Sequence, residues 1–102
     1  MITDVISKPV YQVISDLTQE SRVEIALPLA IKDLVRLKLK ETSEQRLVFE
    51  HQYAMTFSEF QQAWETDVIP NKYSYTVEQD YWEWEATITD EQRLLKMLER
   101  LA

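Results

Sequence analysis

The 102-residue chain contains no glycine. Loops that cradle phosphate groups, type I′ hairpin turns and close approaches of the backbone to a cofactor all depend on glycine, which lacks a Cβ. Its absence excludes P-loops and dinucleotide-binding fingerprints and disfavours a β fold with many tight turns. The sequence therefore favours helices joined by polar loops. A chain of this length suits a single domain that buries roughly 60–65% of its unfolded surface.

Two stretches of the first half predict helices. Residues 9–20 carry apolar side chains at helical spacing after a proline that suits a first helical turn. Residues 29–55 are rich in strong helix formers. Thr42 and Ser43 interrupt the apolar pattern, so this second stretch is either one long helix or two helices with a soft joint.

The segment between these stretches has two interpretations. Ser21 and Glu24 have the spacing of a capping box, which predicts a helix start. Pro28 would then kink that helix or move its true start to the proline itself. Alternatively, residues 23–27 form a short strand before a helix, as in ribbon-helix-helix DNA-binding proteins.

Capping signals divide the second half. Thr56 and Glu59 form a capping box that opens a short helix, and Thr76 and Gln79 form a similar cap before the C-terminal segment. Between them, residues 67–75 contain Pro-Asn and predict a loop. The predicted fold is mainly α: a small helical domain with a long central helix, a short helix, a proline-containing loop and a C-terminal helix, with the one short strand as an alternative element.

The aromatic segment at residues 77–89 fits two periods. At helical spacing one face collects Val77, Tyr81, Trp84 and Ile88. At strand spacing one face collects Trp82, Trp84, Ala86 and Ile88. The helix is favoured because a cap precedes it and a clear helical pattern continues after it. Trp82 then points away from the core face.

Acidic side chains are concentrated in the second half of the chain. The formal net charge is −7, and residues 56–92 carry nine acidic side chains with only Lys72 to oppose them. Such a segment repels nucleic acid and attracts basic protein surfaces. The predicted organisation is one structural domain, in which residues 1–66 form a helical part with the core and any dimer or DNA contact. Residues 67–102 form the loop and the acidic, aromatic segment.

Catalytic and metal-binding chemistry is poorly represented. The chain has no cysteine and one histidine, His51, so an activated nucleophile or a zinc site lacks its usual side chains. Asp80 and Glu83 are best interpreted as part of a solvated acidic helix face. We therefore expect a protein that is not an enzyme and has no cofactor or metal. With no signal peptide and no membrane-length apolar run, we expect it in the cytoplasm.

Two further surfaces suggest other partners. A basic helix edge is the alternative contact for operator DNA, in an autoregulator, and comprises Lys32, Arg36, Lys38 and Lys40. A C-terminal apolar stripe suits a homodimer, in a self-assembling helical scaffold or adaptor, and comprises Leu94, Leu95, Leu98 and Leu101.

Residues 46–88 resemble a known family. Many small antitoxins of bacterial and archaeal type II toxin–antitoxin pairs carry the pattern Glu-x-x-Tyr-Gly-Met-Ser-Phe-x-Glu-Phe, followed by an acidic-aromatic Tyr-Trp-Glu-Trp-Glu element. The matching residues are Glu50, Tyr53, Met55, Phe57, Glu59 and Phe60, then Tyr81, Trp82, Glu83, Trp84 and Glu85. Ala54 stands where the pattern has glycine, which makes a left-handed helix end less natural here.

The resemblance implies an antitoxin that binds and neutralises a cognate toxin, often a basic ribonuclease, without catalysis. Trp82 and Trp84 are then predicted as anchors, with acidic side chains as charge partners. The predicted toxin-binding residues are Trp64, Tyr73, Tyr75, Asp80, Tyr81, Trp82, Glu83, Trp84 and Glu85.

Overall fold

A computed structural model describes residues 6–102 and contains four helices and no strand in that range. Helix α1 spans Lys8–Thr18, α2 spans Val23–Tyr53, α3 spans Phe57–Glu65 and α4 spans Tyr75–Arg100. The predicted mainly α fold is confirmed, including the long central helix, the short helix and the C-terminal helix. The aromatic segment is part of α4, so the helical interpretation is correct.

Helices α2 and α4 pack side by side in opposite directions. Ser43 on α2 bonds to Glu91 on α4, whereas Phe49, further along α2, stacks on Trp84, which comes earlier on α4. Short α3 and the loop after it return the chain to α2, and α1 folds back on the start of α2. The described molecule is elongated, with extents of 57 × 24 × 21 Å.

The start of α2 confirms the predicted helix start near Ser21–Glu24 but not the predicted cap. Residues 23–27 are helical, so the predicted strand is wrong. Pro28 lies inside the helix and does not move its start, because an early proline removes one backbone donor from a helix of 31 residues. The Ser21–Glu24 capping box is absent: Arg22 occupies the N-cap position and no side chain caps the helix.

The polar interruption in the middle of α2 is not a joint. The helix continues through Thr42, whose hydroxyl donates to the Lys38 carbonyl at 2.8 Å. Ser43 donates to the Glu91 carboxylate of α4 at 2.7 Å. Arg46, one turn later, donates to the same carboxylate at 3.0 Å. The pattern breaks here because these side chains face a polar contact between α2 and α4.

Helix α2 ends at a residue with left-handed backbone geometry. Ala54 has φ 55° and ψ 37°, a region that glycine occupies without steric cost. The αL helix end of the resembled pattern is therefore present although its glycine is not. The predicted capping box follows: Thr56 Oγ1 accepts from the Glu59 N–H at 3.2 Å, and Glu59 accepts from the Thr56 N–H at 2.8 Å.

Helix α4 begins earlier than the cap at Thr76 and Gln79 predicted. Ser74 is the N-cap residue, and its hydroxyl accepts from the Val77 N–H at 3.3 Å. Both Ser and Thr can fill this position, and the loop geometry brings Ser74 to it first. The predicted cap at Thr76 is wrong by two positions.

The core lies where α2, α3, α4 and the loop meet. Its four buried residues come from all four of these segments: Phe49, Phe60, Ile69 and Trp84. Aromatic rings form most of its border, so the core is built from a few large side chains rather than many aliphatic ones. This core holds the first half of α4 in place.

Candidate functional site

Trp84 belongs to the core and not to a partner surface. Its side chain is 0% exposed. It stacks on Phe49 and Tyr53 with ring centroids 5.5 and 5.7 Å away, and Phe57 meets it edge-on at 5.5 Å. The prediction of Trp84 as a toxin anchor is therefore withdrawn, because the folded chain leaves none of its surface for another molecule.

Trp82 lies on the opposite side of α4 from the core. It is 72% exposed, which confirms the position that helical periodicity predicts for it. Tyr73 and Tyr75, at the loop end and the helix start, are each 79% exposed. Three large rings therefore remain in solvent on the most acidic part of the chain.

Tyr81 and Trp64 connect this surface to the core. Their ring centroids are 4.7 Å apart, and both rings also contact Phe60 at 5.7 and 6.1 Å. Gln61 donates to the Tyr81 hydroxyl at 3.3 Å. Both rings are half-buried, so they are fixed by the core and still offer an edge to solvent.

A groove of about 350 Å³ lies between these rings and Trp82. We call it the Trp82 groove; its lining residues are Trp64, Glu78, Tyr81, Trp82 and Glu85. Glu78 and Glu85 stand four residues before and three after Trp82, so both flank the ring on one helix face. Sequence reasoning omitted Glu78 from the predicted site, although this spacing was available to find it.

A second hollow of about 280 Å³ also has Trp82 in its lining. Tyr75, Glu78 and Gln79 line it together with Trp82. Trp82 and Glu78 therefore contribute to both concave surfaces.

The predicted charge partners do not share one environment. Asp80 accepts a hydrogen bond from the Tyr53 hydroxyl and another from Gln52 Nε2 at 3.1 Å, so it ties α4 to α2. Burial, aided by this bond to Asp80, raises the pKa of Tyr53. Glu83 accepts from Gln79 at 2.9 Å and lies about 100° around the helix from Trp82.

Glu78 and Glu85 are different from these acids. Neither carboxylate has a hydrogen bond or an ion pair within residues 6–102. Glu78 is half-buried and Glu85 is exposed. The structure therefore brings two carboxylates without partners to the groove and places Asp80 and Glu83 elsewhere.

The loop supplies one cation that sequence reasoning did not place. Lys72 Nζ donates to the Trp64 carbonyl and to Asp67, both at 2.7 Å. The same ammonium group lies 5.1 Å from the Trp64 ring centroid and 5.6 Å from that of Tyr73. Its hydrogen bond to Asp67 raises the pKa of Lys72. The sequence signal that could have found it is that Lys72 is the only basic residue of the acidic segment 56–92.

The basic edge predicted for DNA is only partly continuous. Lys32, Arg36 and Lys40 follow one edge of α2, whereas Lys38 lies about 160° from Arg36 around the helix. Arg36 approaches Asp33 at 3.8 Å, an exposed contact of little energetic weight. Without the predicted strand, the edge is not part of a ribbon-helix-helix fold, and DNA contact stays a prediction.

The C-terminal leucine stripe is largely used within the chain. Leu94 is 6% exposed, and Leu98 and Leu101 are half-buried. Leu95 alone among the four is exposed, at 46%. Because three of its four leucines pack within the chain, this stripe leaves little apolar area for contact with a second copy.

Exposed apolar side chains instead surround the α1–α2 hairpin. Helix α1 has no buried residue, although its apolar side chains share one face. We call the exposed set the N-terminal apolar surface; it comprises Val10, Val13, Leu17, Ile25, Leu29, Ile31, Leu34 and Leu37. Singly exposed leucines are ordinary, but eight on two adjacent helical segments form an extended apolar area in solvent.

Chemistry beyond binding has few candidates. The side chain of His51 is exposed, and within residues 6–102 no group of three or more His, Cys, Asp or Glu is placed to hold a metal. Across the same range, none of the helices has both the length and the apolarity to cross a membrane. Comparison of the chain with protein-family models, curated proteins and solved structures gave no match.

Proposed function

We propose that the chain is a non-catalytic antitoxin that acts in the cytoplasm by binding a cognate basic toxin through the exposed side of α4. The observation that carries the proposal is Trp82, which is 72% exposed and lines two hollows on an acidic surface. A folded monomer gains nothing from an indole in water, whereas an interface gains an anchor.

Electrostatics favours a basic protein partner. Residues 56–92 combine nine acidic side chains with Lys72, and Asp67 already holds that lysine. The remaining field attracts a cationic surface and raises its association rate. Neutralisation then requires no chemistry: the bound surface covers the basic active site of the toxin.

The rigid support of the anchor also favours this function. Trp82 lies within α4, and Trp84, two residues later on the opposite side of that helix, belongs to the core. An anchor on a supported helix loses little conformational entropy on binding, which increases affinity. Tyr73 and Tyr75 add exposed aromatic area at the same end of α4.

Co-expression with the product of the adjacent gene tests the proposal. We expect that product alone to arrest growth, and the wild-type chain to relieve the arrest through a complex that co-elutes in size exclusion. Trp82→Ala should lose the relief while keeping its helical circular dichroism. An adjacent product that is harmless and forms no complex contradicts the proposal.

A second proposed property is self-association through the N-terminal apolar surface. Its eight residues are 36–74% exposed, and a standard interface buries roughly 800 Å² per partner. On α2 they lie on more than one side of the helix, so α1 covers only part of its apolar side chains. A second copy, packing hairpin against hairpin, would surround it.

Light scattering of the purified chain over a concentration series tests this property. We expect the mass of a dimer, which dissociates on dilution. A monomer at all concentrations contradicts self-association and leaves the antitoxin proposal untouched. A dimer would also present two copies of the basic edge of α2, one for each half-site of a two-fold symmetric operator. DNA contact therefore remains a second proposed activity.

A further inference from the structure

The Trp82 groove has a composition suited to one kind of ligand. Three aromatic rings supply its walls and two carboxylates stand at its rim, with no basic side chain among the lining residues. Aromatic faces attract cations through their quadrupole, and carboxylates add charge and hydrogen-bond acceptors. A neutral apolar ligand would leave both carboxylates unused.

The two rim carboxylates lack partners among the described residues, whereas three other acids of the segment already have a hydrogen bond or an ion pair. Asp67 pairs with Lys72, Asp80 bonds to Tyr53, and Glu91 pairs with Arg46. Glu78 and Glu85, in contrast, have no such partner within residues 6–102. Their negative charge is therefore free to pair with a cation that enters the groove.

The chain itself shows how a cation is held beside these rings. Lys72 lies 5.1 Å from the Trp64 ring centroid while donating to Asp67 at 2.7 Å. This contact combines an aromatic face with a carboxylate. The Trp82 groove has the same two components, with Trp64 again among its rings and no basic side chain in its lining.

We propose that the Trp82 groove is a receptor for an arginine side chain of the protein partner. This inference rests on the proposed function and names the chemistry of its contact. Arginine is chosen over lysine because a planar guanidinium stacks on aromatic rings and bonds to carboxylates in a forked geometry. Seven residues separate Glu78 from Glu85, a rise of about 10 Å along α4, so carboxylates approach the guanidinium from both ends.

Three blocked tripeptides test the receptor directly. The probes are acetyl-Gly-Arg-Gly-amide, the same peptide with lysine, and the same peptide with citrulline, which keeps the shape of arginine without its charge. The readout is the set of indole N–H resonances of ¹⁵N-labelled protein, with Trp82 assigned from the Trp82→Phe variant. We expect the arginine peptide to shift the Trp82 and Trp64 signals with a Kd on the order of 1 mM.

A matched pair of double variants separates the groove from general charge. Glu78→Gln with Glu85→Gln should weaken arginine binding roughly tenfold, because both rim charges are lost. Glu41→Gln with Glu99→Gln removes the same charge from exposed positions of α2 and α4 outside the groove and should leave binding unchanged. The lysine peptide should bind several-fold more weakly than the arginine peptide, and the citrulline peptide should not shift these signals.

Equal shifts with citrulline, preference for lysine, or equal weakening by the two double variants would each overturn the inference. Because the probes need no toxin, their result is independent of the co-expression experiment. Toxin neutralisation that depends on Trp82 without arginine binding overturns the receptor alone. Arginine binding without an antitoxin effect overturns the proposed function and keeps the receptor.

Discussion

The two ends of this molecule bury their apolar side chains to very different extents. At the aromatic end, Trp84 and Phe60 are 0% exposed because rings from three helices enclose them. At the hairpin end, α1 buries no residue, and Leu17 is 74% exposed. The aromatic end therefore completes its own core within one chain, whereas the hairpin end leaves most of its apolar side chains exposed in the described residues.

The difference arises from the number of elements that meet at each end. Around Trp84, helices α2, α3 and α4 and the loop residue Ile69 converge, so a few large rings close the core. At the hairpin, among residues 6–102, α1 with its 11 residues is the main helix that packs on the first turns of α2. Two helices bury one stripe each and leave the remaining apolar side chains in solvent.

Truncation of the aromatic core is the strongest way to test this comparison. Trp84→Ala should lower the free energy of unfolding by about 3–5 kcal/mol, because it leaves a large cavity among packed rings. Leu17→Ala, at the hairpin end, should change monomer stability by about 0.5 kcal/mol or less. Urea denaturation at a concentration below dimer formation measures both. Similar losses at the two positions would contradict the comparison.

Trp84→Phe sharpens the same test. The indole N–H of Trp84 is buried without a hydrogen-bond partner in the described part of the chain. Because phenylalanine removes that unpaired donor while filling much of the volume, we expect a loss well below that of the alanine variant, about 1–2 kcal/mol. A loss as large as for alanine would show that the indole donor is satisfied in solution.

Charge at the hairpin end should act on assembly and not on folding. Leu34→Glu combined with Leu37→Glu places two charges in the proposed dimer contact, where each would need desolvation. We expect the dimer dissociation constant to rise about a hundredfold, equivalent to roughly 2.7 kcal/mol. Sedimentation equilibrium measures it. Glu83→Gln, at the aromatic end, serves as the control and should leave dimerisation unchanged.

The polar contact midway between the ends should matter less than the aromatic core. Glu91 is bonded by Ser43 and Arg46, and its side chain is 16% exposed. Glu91→Ala leaves Arg46 with Glu50 alone and should cost about 2 kcal/mol, as expected for charged hydrogen bonds of limited exposure. Glu99→Ala, on the exposed side of α4, should be nearly neutral in the same denaturation experiment.

Replacement of alanine by glycine should stabilise the fold at one position and destabilise it at another. Ala54 has φ 55° at the end of α2, where glycine avoids the steric cost of a Cβ. Ala54→Gly should therefore stabilise the fold by about 0.5–1 kcal/mol. Ala86→Gly, on the exposed side of α4, should destabilise it by about 1 kcal/mol because glycine disfavours a helix interior. Thermal denaturation that gives the same sign for both would refute the assignment.

The smallest expected effect is a pH dependence from two carboxylates, one at each end. A hydrogen bond from the Arg22 side chain lowers the pKa of Glu20 from 4.5 to about 2. The Thr56 backbone N–H lowers that of Glu59. A depressed folded pKa gives stability that is present above the unfolded value and is lost as pH falls toward the folded one.

We therefore expect the melting temperature to fall slightly as pH decreases from about 5 toward 2. Glu20→Gln and Glu59→Gln should each flatten part of this fall. A melting temperature that rises with acidification in the wild type, or a fall that neither variant changes, would contradict these assignments. Calorimetry across the pH series measures the effect.

Local rules predicted much of the aromatic end. The Thr56–Glu59 box was evident from residue type and spacing, because capping needs only neighbouring side chains. Helical periodicity also separated Trp82 from Trp84 correctly, since a 100° step fixes which side chains share a face. The cap of α4 was placed two positions late because Ser74 and Thr76 are equivalent by residue type.

By itself, the sequence determined the helical class, the short helix after Thr56 and the outward position of Trp82, all of which depend on residues within two turns of one another. Tertiary structure decided which carboxylates remain free. Asp80 bonds to Tyr53 on α2, whereas Glu78 faces the Trp82 groove without a partner among the described residues. It also decided which leucines are covered. These properties depend on segments far apart in the chain, and packing alone brings those segments together.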